Sequence, residues 1–161
     1  MRIQAAEPGD AAEVLQLQKL AYRSEAAIYD DFTIAPLTQT LDEMDADLAR
    51  QTCLKATVNG RIVGSVRARV SDGTCFVGRL IVHPDYQNQG IGTRLVGEIE
   101  QVFRSAARFE LFTGHRSERN LALYRKLGYR PFRQERISEA LSLVYLEKVQ
   151  PHQTESDIQE F

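Results

Sequence analysis

Apolar residues along the first fifty positions repeat at two different periods. Met1 to Ala5 alternates as a short opening strand, and Pro8-Gly9-Asp10 interrupts it before Val14, Leu17 and Ala21 recur at helical spacing. Asp10 and Glu13 stand three apart, as a capping pair for that helix. A second helix is announced by Thr40 and Glu43 in capping-box spacing, with Leu41, Met44 and Leu48 along one face. The intervening stretch, Ser24 to Gln39, shows neither period and reads as irregular. Helix packing is the simplest role for Tyr22 and Tyr29 near its start.

Period two then takes over. Leu54, Ala56 and Val58 alternate, Asn59-Gly60 supplies the preferred hairpin dipeptide, and Ile62, Gly64, Val66, Ala68 and Val70 alternate again. After Asp72-Gly73 turns the chain, Phe76 to Val82 is an almost unbroken apolar run, as expected for a central strand, and Pro84 ends it. Gly90 to Ala107 reads as a helix with Ile91, Leu95, Ile99, Val102 and Phe103 on one face. Phe109 to Thr113 is a further strand. Ser117 then caps a helix that puts Asn120, Leu123, Tyr124 and Leu127 on one face before Gly128 stops it. Strands over Tyr129 to Ile137 and Leu141 to Val149 close the pattern. The pattern predicts an α/β (α+β) fold, a mixed, mostly antiparallel central sheet of about seven strands flanked by about four helices. With no repeat and no linker, residues 1–149 form one expected domain and 150–161 a polar C-terminal tail.

Bulk composition narrows the function classes. A chain of 161 residues fits one domain with a real core. A formal net charge of −2 gives no nucleic-acid surface. No apolar run approaches the roughly 20 residues that cross a bilayer, and the N-terminus lacks a signal-peptide core, so the expectation is a cytoplasmic protein with no membrane partner. Cys53 and Cys75 lack metal-ligand spacing and fall inside strands, which makes them buried free thiols; no metal is expected.

The most informative stretch joins the central strand to a helix: Val82-His83-Pro84-Asp85-Tyr86-Gln87-Asn88-Gln89-Gly90-Ile91-Gly92-Thr93. Such a junction can hold an anion, because the unpaired N–H groups of a helix's first turn point outward and the helix dipole adds about half a positive charge. Glycine lets a phosphate approach the backbone. The P-loop would need Gly-Lys-Ser/Thr, and the dinucleotide fingerprint a third glycine where Leu95 stands; neither fits. On the two glycines alone an ordinary turn and a phosphate cradle are equally good readings.

A resemblance separates them. Gln87, Gly90 and Gly92 match in register the Gln/Arg-x-x-Gly-x-Gly/Ala signature of the GNAT superfamily of N-acetyltransferases, and Asn120-Leu121-Ala122-Leu123-Tyr124-Arg125-Lys126-Leu127-Gly128-Tyr129 resembles that family's Asn-x-x-x-Tyr-x-Lys-x-Gly-Phe/Tyr element. The element order covers the chain to about Val149, although only residues 76–129 carry the specific motifs. The resemblance implies a GNAT-like fold and transfer of an acetyl group from acetyl-CoA, as cosubstrate, to a small-molecule or peptide amine. It implies that the amides of Gln87, Asn88, Gln89, Gly90, Ile91, Gly92 and Thr93 hold the coenzyme pyrophosphate. The backbone of Leu80, Ile81 and Val82 would pair with the pantetheine arm, and Asn120 would touch the coenzyme from the far side.

Amide formation from a thioester needs a neutral amine and a stabilised sulfur leaving group. An alkyl amine of pKa about 10.4 costs roughly 4.6 kcal/mol to deprotonate at pH 7. Tyr124 matches the tyrosine that serves as general acid in such proteins; a phenol of pKa about 10 protonating a thiolate of pKa about 8.5 is uphill by roughly 2 kcal/mol, so hydrogen bonding to the developing thiolate is the safer role. Many relatives carry a glutamate on the central strand, and Phe76 to His83 has no acid. His115 and Glu25 are the candidate bases beside a water relay without a dedicated base; His83 closes its strand. Arg67 and Arg69 share a strand face that Arg79 joins if register permits, a basic wall suited to a carboxylate on the acceptor or simply arginines paired with surface acids. A coenzyme-binding module without turnover and a plain interaction domain remain the alternatives. Acceptor identity and oligomeric state, a homodimer included, stay open.

Overall fold

A computed structural model of the chain describes residues 1–151. Seven strands, β1 (Arg2–Ala5), β2 (Thr52–Val58), β3 (Arg61–Ser71), β4 (Thr74–Val82), β5 (Arg108–Gly114), β6 (Arg130–Arg136) and β7 (Ser142–Val149), form one sheet in the order β1-β2-β3-β4-β5-β7-β6. Every neighbouring pair is antiparallel except β4 and β5. This is the expected mixed, mostly antiparallel sheet. Asn59-Gly60 and Asp72-Gly73 make the two tight hairpins, with all four residues at positive φ as type I′ turns require.

Six helical segments surround the sheet: α1 (Ala11–Ala21), α2 (Arg23–Tyr29), α3 (Ala35–Thr38), α4 (Leu41–Arg50), α5 (Ile91–Val102) and α6 (Glu118–Lys126). On one face α5 buries Ile91, Leu95, Val96 and Ile99 against Val63, Val66, Cys75, Val77 and Phe109. On the other, Val14 and Leu17 of α1 and Met44 of α4 pack over Ile62 and Ile81. Each such fully buried aliphatic side chain contributes about 1.5–3 kcal/mol. Both cysteines are free and buried.

Four local expectations are corrected. Ser24 to Gln39, read as irregular, contains α2 and α3, which bury too few residues to carry a helical period; Ala26 and Tyr29 are the only buried residues of α2. Asp10 does not cap α1: its carboxylate accepts the Glu7 N–H at 2.8 Å and binds Lys55 Nζ at 2.7 Å. The Thr40–Glu43 box does form, at 3.2 and 3.0 Å. The helix expected to reach Ala107 stops at Val102, which is 53% exposed, because the next residues must turn back so that Ala107 N–H meets Gly73 C=O at 2.8 Å. Ser117 stands at the start of α6 without capping it; its hydroxyl is used elsewhere. Gln150 is tied to the α5–β5 connection, its amide donating to the carbonyls of Arg104 and Ala106. Beyond Pro151 the expected tail lies outside the described residues.

Candidate functional site

His83 closes β4, its Nδ1 accepting the Asp85 N–H at 3.1 Å and so tying down the short turn Pro84–Tyr86. Asn88 (φ 63°) and Gly90 (φ 82°) then take left-handed conformations that swing the chain into α5. Gly90 occupies the capping position, yet no side chain caps the helix. The first intrahelical bond runs from Arg94 N–H to Gly90 C=O at 3.1 Å, leaving the amides of Ile91, Gly92 and Thr93 unused by the helix. A Cβ built on Gly90 meets nothing within 4 Å. Uncapped donors under open space suit a diphosphate such as that of coenzyme A. Arg119, at the start of α6, adds a cation the sequence reading missed: its guanidinium donates to Gln87 Oε1 and, at 2.7 Å, to Asn88 Oδ1.

From this turn a cleft runs between two strands. β4 and β5 pair only through Thr74–Phe76 against Arg108–Glu110; beyond those three pairs no ladder joins them, which leaves the C-terminal halves of the two strands unpaired with each other. A bulge in β4 sits at the same level. Gly78 pairs with Arg67 and Ile81 with Ser65, so Arg79 and Leu80 together oppose one residue, and Arg79 has φ 51°.

Across the cleft, α2 and α6 meet over a chain of hydrogen bonds. Arg116 N–H donates to the Tyr29 hydroxyl at 3.0 Å, the Tyr29 and Ser117 oxygens lie 2.8 Å apart, and the Ser117 hydroxyl donates to Glu25 Oε2. Since Ser117 gives its proton to Glu25, Tyr29 donates to Ser117, and every donor in the series points toward the carboxylate. Asn120 Nδ2 reaches Glu25 Oε1 at 3.4 Å and Thr113 Oγ1 at 3.3 Å. Glu25 and Asn120, both singled out from sequence, are thus brought together, whereas Tyr29, Thr113 and Ser117 were not read as site residues. Each carboxylate oxygen keeps a lone pair free.

Tyr124 lies one turn beyond Asn120 on the same face of α6 and is 6% exposed. Burial pushes its phenol well above the usual tyrosine range, and Tyr22 and Glu25 push it further the same way. The group is a protonated donor at neutral pH, and among the described residues no hydrogen bond engages it. His115 is placed differently. Its main-chain N–H already donates to Ser142 C=O at 2.8 Å, and Ser142 N–H donates to the ring Nδ1 at 2.9 Å. Nδ1 also lies 3.1 Å from Ser142 C=O, so both backbone groups of Ser142 hold this edge of the ring and Nε2 is the nitrogen left over.

The three arginines divide. Arg67 is buried against Asp47 at 2.7 Å, Arg69 stacks 4.7 Å over the Phe76 ring, and only Arg79 points an unpartnered nitrogen into the protein. Beside the end of α2 lies a cavity of about 290 Å³ lined by Tyr29, Asp30, Asp31, Ser138, Glu139 and Leu141 among others. Its carboxylates favour cations.

Comparison with known proteins gives this arrangement a lineage. An acetyltransferase of Pectobacterium atrosepticum is 32% identical over 78 residues, 47% of this chain; the match spans 55% of that relative, about half its length. The ribosomal-protein-S18-alanine N-acetyltransferase of Escherichia coli superposes with a TM-score of 0.77 at 17% identity, covering 92% of each chain. The PaiA N-acetyltransferase of Thermoplasma acidophilum, solved in complex with coenzyme A, gives 0.77 at 14% identity over 93% of this chain and 100% of its own. At those identities the structures speak for the fold. The family model described as acetyltransferase (GNAT) family matches residues 12–129, well over half of the chain, and with it the turn, the cleft and α6, so this chain belongs to the GNAT acetyltransferase family.

Proposed function

We propose that the chain transfers an acetyl group from acetyl-CoA to an amine, with Glu25 as the proton acceptor and Tyr124 as the hydrogen-bond donor to sulfur. One observation carries the reading: a protonated Tyr124 hydroxyl without a partner among the described residues lies near enough to feel a lone-pair-bearing Glu25 carboxylate, in a fold that leaves the start of α5 uncapped and the ends of β4 and β5 unpaired.

The amides of Ile91, Gly92 and Thr93 would hold the pyrophosphate, with Arg119 and the Gln87 and Asn88 side chains at its rim. The unpaired edge of Leu80 to Val82 offers backbone groups to the amide-like pantetheine arm. Bound acetyl-CoA supplies the thioester carbonyl. Glu25, held by Ser117 and Asn120, accepts the proton that an alkylammonium must lose and relays it to solvent, a net deprotonation that costs roughly 4.6 kcal/mol at pH 7. His115 is turned onto the Ser142 backbone and makes no hydrogen bond to Glu25, Ser117 or Asn120. Tyr124 keeps its proton and donates a hydrogen bond toward the departing sulfur, since raising its pKa makes full transfer more than roughly 2 kcal/mol uphill.

The test has a binding arm and a turnover arm. Acetyl-CoA at 100 times its dissociation constant raises stability by about 2.7 kcal/mol, read as a thermal shift, and an amine library with thiol detection reports transfer. Glu25→Gln and Tyr124→Phe each lower kcat by about 10²- to 10³-fold with coenzyme affinity within threefold. Absence of any shift at millimolar acetyl-CoA removes the reading; a shift without thiol release leaves a binding module; wild-type turnover in either variant returns that residue to packing.

A further inference from the structure

Arg79 is a half-buried cation that the proposed chemistry leaves unused: part of its side chain reaches solvent, while Nη1 is enclosed. The β4 bulge places Leu80 against the main core and turns Arg79 to the opposite face of the sheet, where Tyr22, Arg67 and Asp47 are its charged or titratable neighbours. The charges there do not balance. Asp47 already binds Arg67 through Nη1 at 2.7 Å, and Gln18 Oε1 lies 3.5 Å from Arg67 Nη2. Arg79 Nη1 is closed off from solvent and has no acceptor among the described residues. A guanidinium presents five donors, and leaving one buried and unpaired is costly enough to need a reason. Holding it there also takes a left-handed φ of 51°, a conformation of about 1–2 kcal/mol for a residue with a side chain.

The surroundings say what completes the group. With Arg67 neutralised by Asp47, one net positive charge remains, which matches a singly charged carboxylate better than a doubly charged phosphate, and carboxylate is the planar complement of guanidinium. Tyr22 links the place to the reaction, because the same phenol that feels Arg79 also feels Glu25. The separate cavity at the end of α2 carries the opposite sign, through Asp30, Asp31 and Glu139.

We propose that Arg79 is a specificity residue that binds a carboxylate on the acceptor, so that the substrate class is amines carrying a carboxylate, amino acids being the simplest. The assignment rests on the acetyl-transfer reading and narrows its acceptor. It is tested on matched pairs, each an amino acid and its carboxamide with glycine, β-alanine and 4-aminobutyrate spacing, by acetyl-CoA-dependent thiol release. The expected result is at least a tenfold higher kcat/KM for the carboxylate member at one spacing. In Arg79→Gln that ratio falls to within twofold of unity, mainly through KM, and Arg79→Lys gives an intermediate ratio. A ratio unmoved by Arg79→Gln, or carboxamides preferred throughout, overturns the proposal. Calorimetry on protein saturated with coenzyme A supplies a readout free of turnover. At least one of N-acetylglycine, N-acetyl-β-alanine and N-acetyl-4-aminobutyrate binds wild type and loses tenfold or more in affinity in Arg79→Gln; binding of none to wild type also overturns it. If these acids bind in an Arg79-dependent way while no amine releases thiol, the transfer reading fails and the carboxylate site stands. Turnover of amines without regard to a carboxylate removes the site alone.

Discussion

Gly114 ends β5 directly beneath Tyr29, and Gly114→Ala tests whether that contact assembles the site. An added Cβ would lie 2.0 Å from the Tyr29 hydroxyl, 2.5 Å from its Cζ and 3.0 Å from Ser117 Oγ. The ring cannot swing aside cheaply, being buried with its hydroxyl held between Ser117 at 2.8 Å and the Arg116 N–H at 3.0 Å. Displacing it forfeits two hydrogen bonds, at about 0.5–1.5 kcal/mol each, and part of the roughly 1.5–3 kcal/mol of ring burial. Removing a glycine returns about 0.5–1 kcal/mol through the unfolded chain. The net loss is about 2–4 kcal/mol, or roughly 5–15 °C in Tm for a chain of this size. Scanning calorimetry and urea melts measure it, and a double-mutant cycle with Tyr29→Ala assigns the cause. Once the ring is gone, Gly114→Ala should add less than about 0.5 kcal/mol, a strong non-additivity. A single variant melting within 2 °C of wild type, or additive losses in the double variant, would show that the Tyr29 ring does not depend on this glycine.

Three further outcomes are expected. Gly90→Asp places a carboxylate over the free amides of α5 and a side chain at φ 82°, so coenzyme A affinity drops at least tenfold by calorimetry; equal affinity would remove the turn from the binding site. Cys53 and Cys75, pushed up to about 11 and about 12 by burial, stay as thiols at pH 8 and resist a thiol reagent in the folded protein; rapid labelling at pH 8 would contradict their burial. Because folding raises both values above the ordinary 9.0, the associated stability is complete below pH 9 and is lost as pH climbs through 11 toward 12, with the raised phenols of Tyr22 and Tyr124 acting the same way above about pH 10. A Tm flat between pH 8 and 11 would refute that.

The uncapped turn into α5 was legible because its determinants are local. Gly90 and Gly92 follow an apolar strand within a dozen residues, and the backbone between them has few alternatives once Pro84 ends the strand. That Tyr124 and Asn120 share a face was legible for the same reason, one helix turn carrying both. The fold followed from two periodicities and two hairpin dipeptides. What escaped is what depends on distant pairing. Ser117 looks like a cap, and only the arrival of Glu25, 92 positions earlier, turns its hydroxyl away from the helix. Tyr29 looks like a packing residue until Arg116 and Ser117 reach its hydroxyl. The bulge at Arg79 left no trace in an unbroken apolar run, because a single extra residue changes the register without changing the composition.

The same division explains where specificity must be sought. Backbone amides at a helix end recognise a diphosphate with almost any side chains around them, so the α5 turn, even read as a coenzyme site, says nothing about an acceptor. In the proposed reading the acceptor is met by side chains of opposite charge in separate places: Asp30, Asp31 and Glu139 around the cavity at the end of α2, and Arg79 at the β4 bulge. An acceptor with a single charge would leave one end unmatched. One carrying both an ammonium and a carboxylate satisfies the unpaired guanidinium and delivers its nitrogen on the Glu25 side, which is why the charge count around Arg79 narrows the acceptor more than any motif in the sequence does.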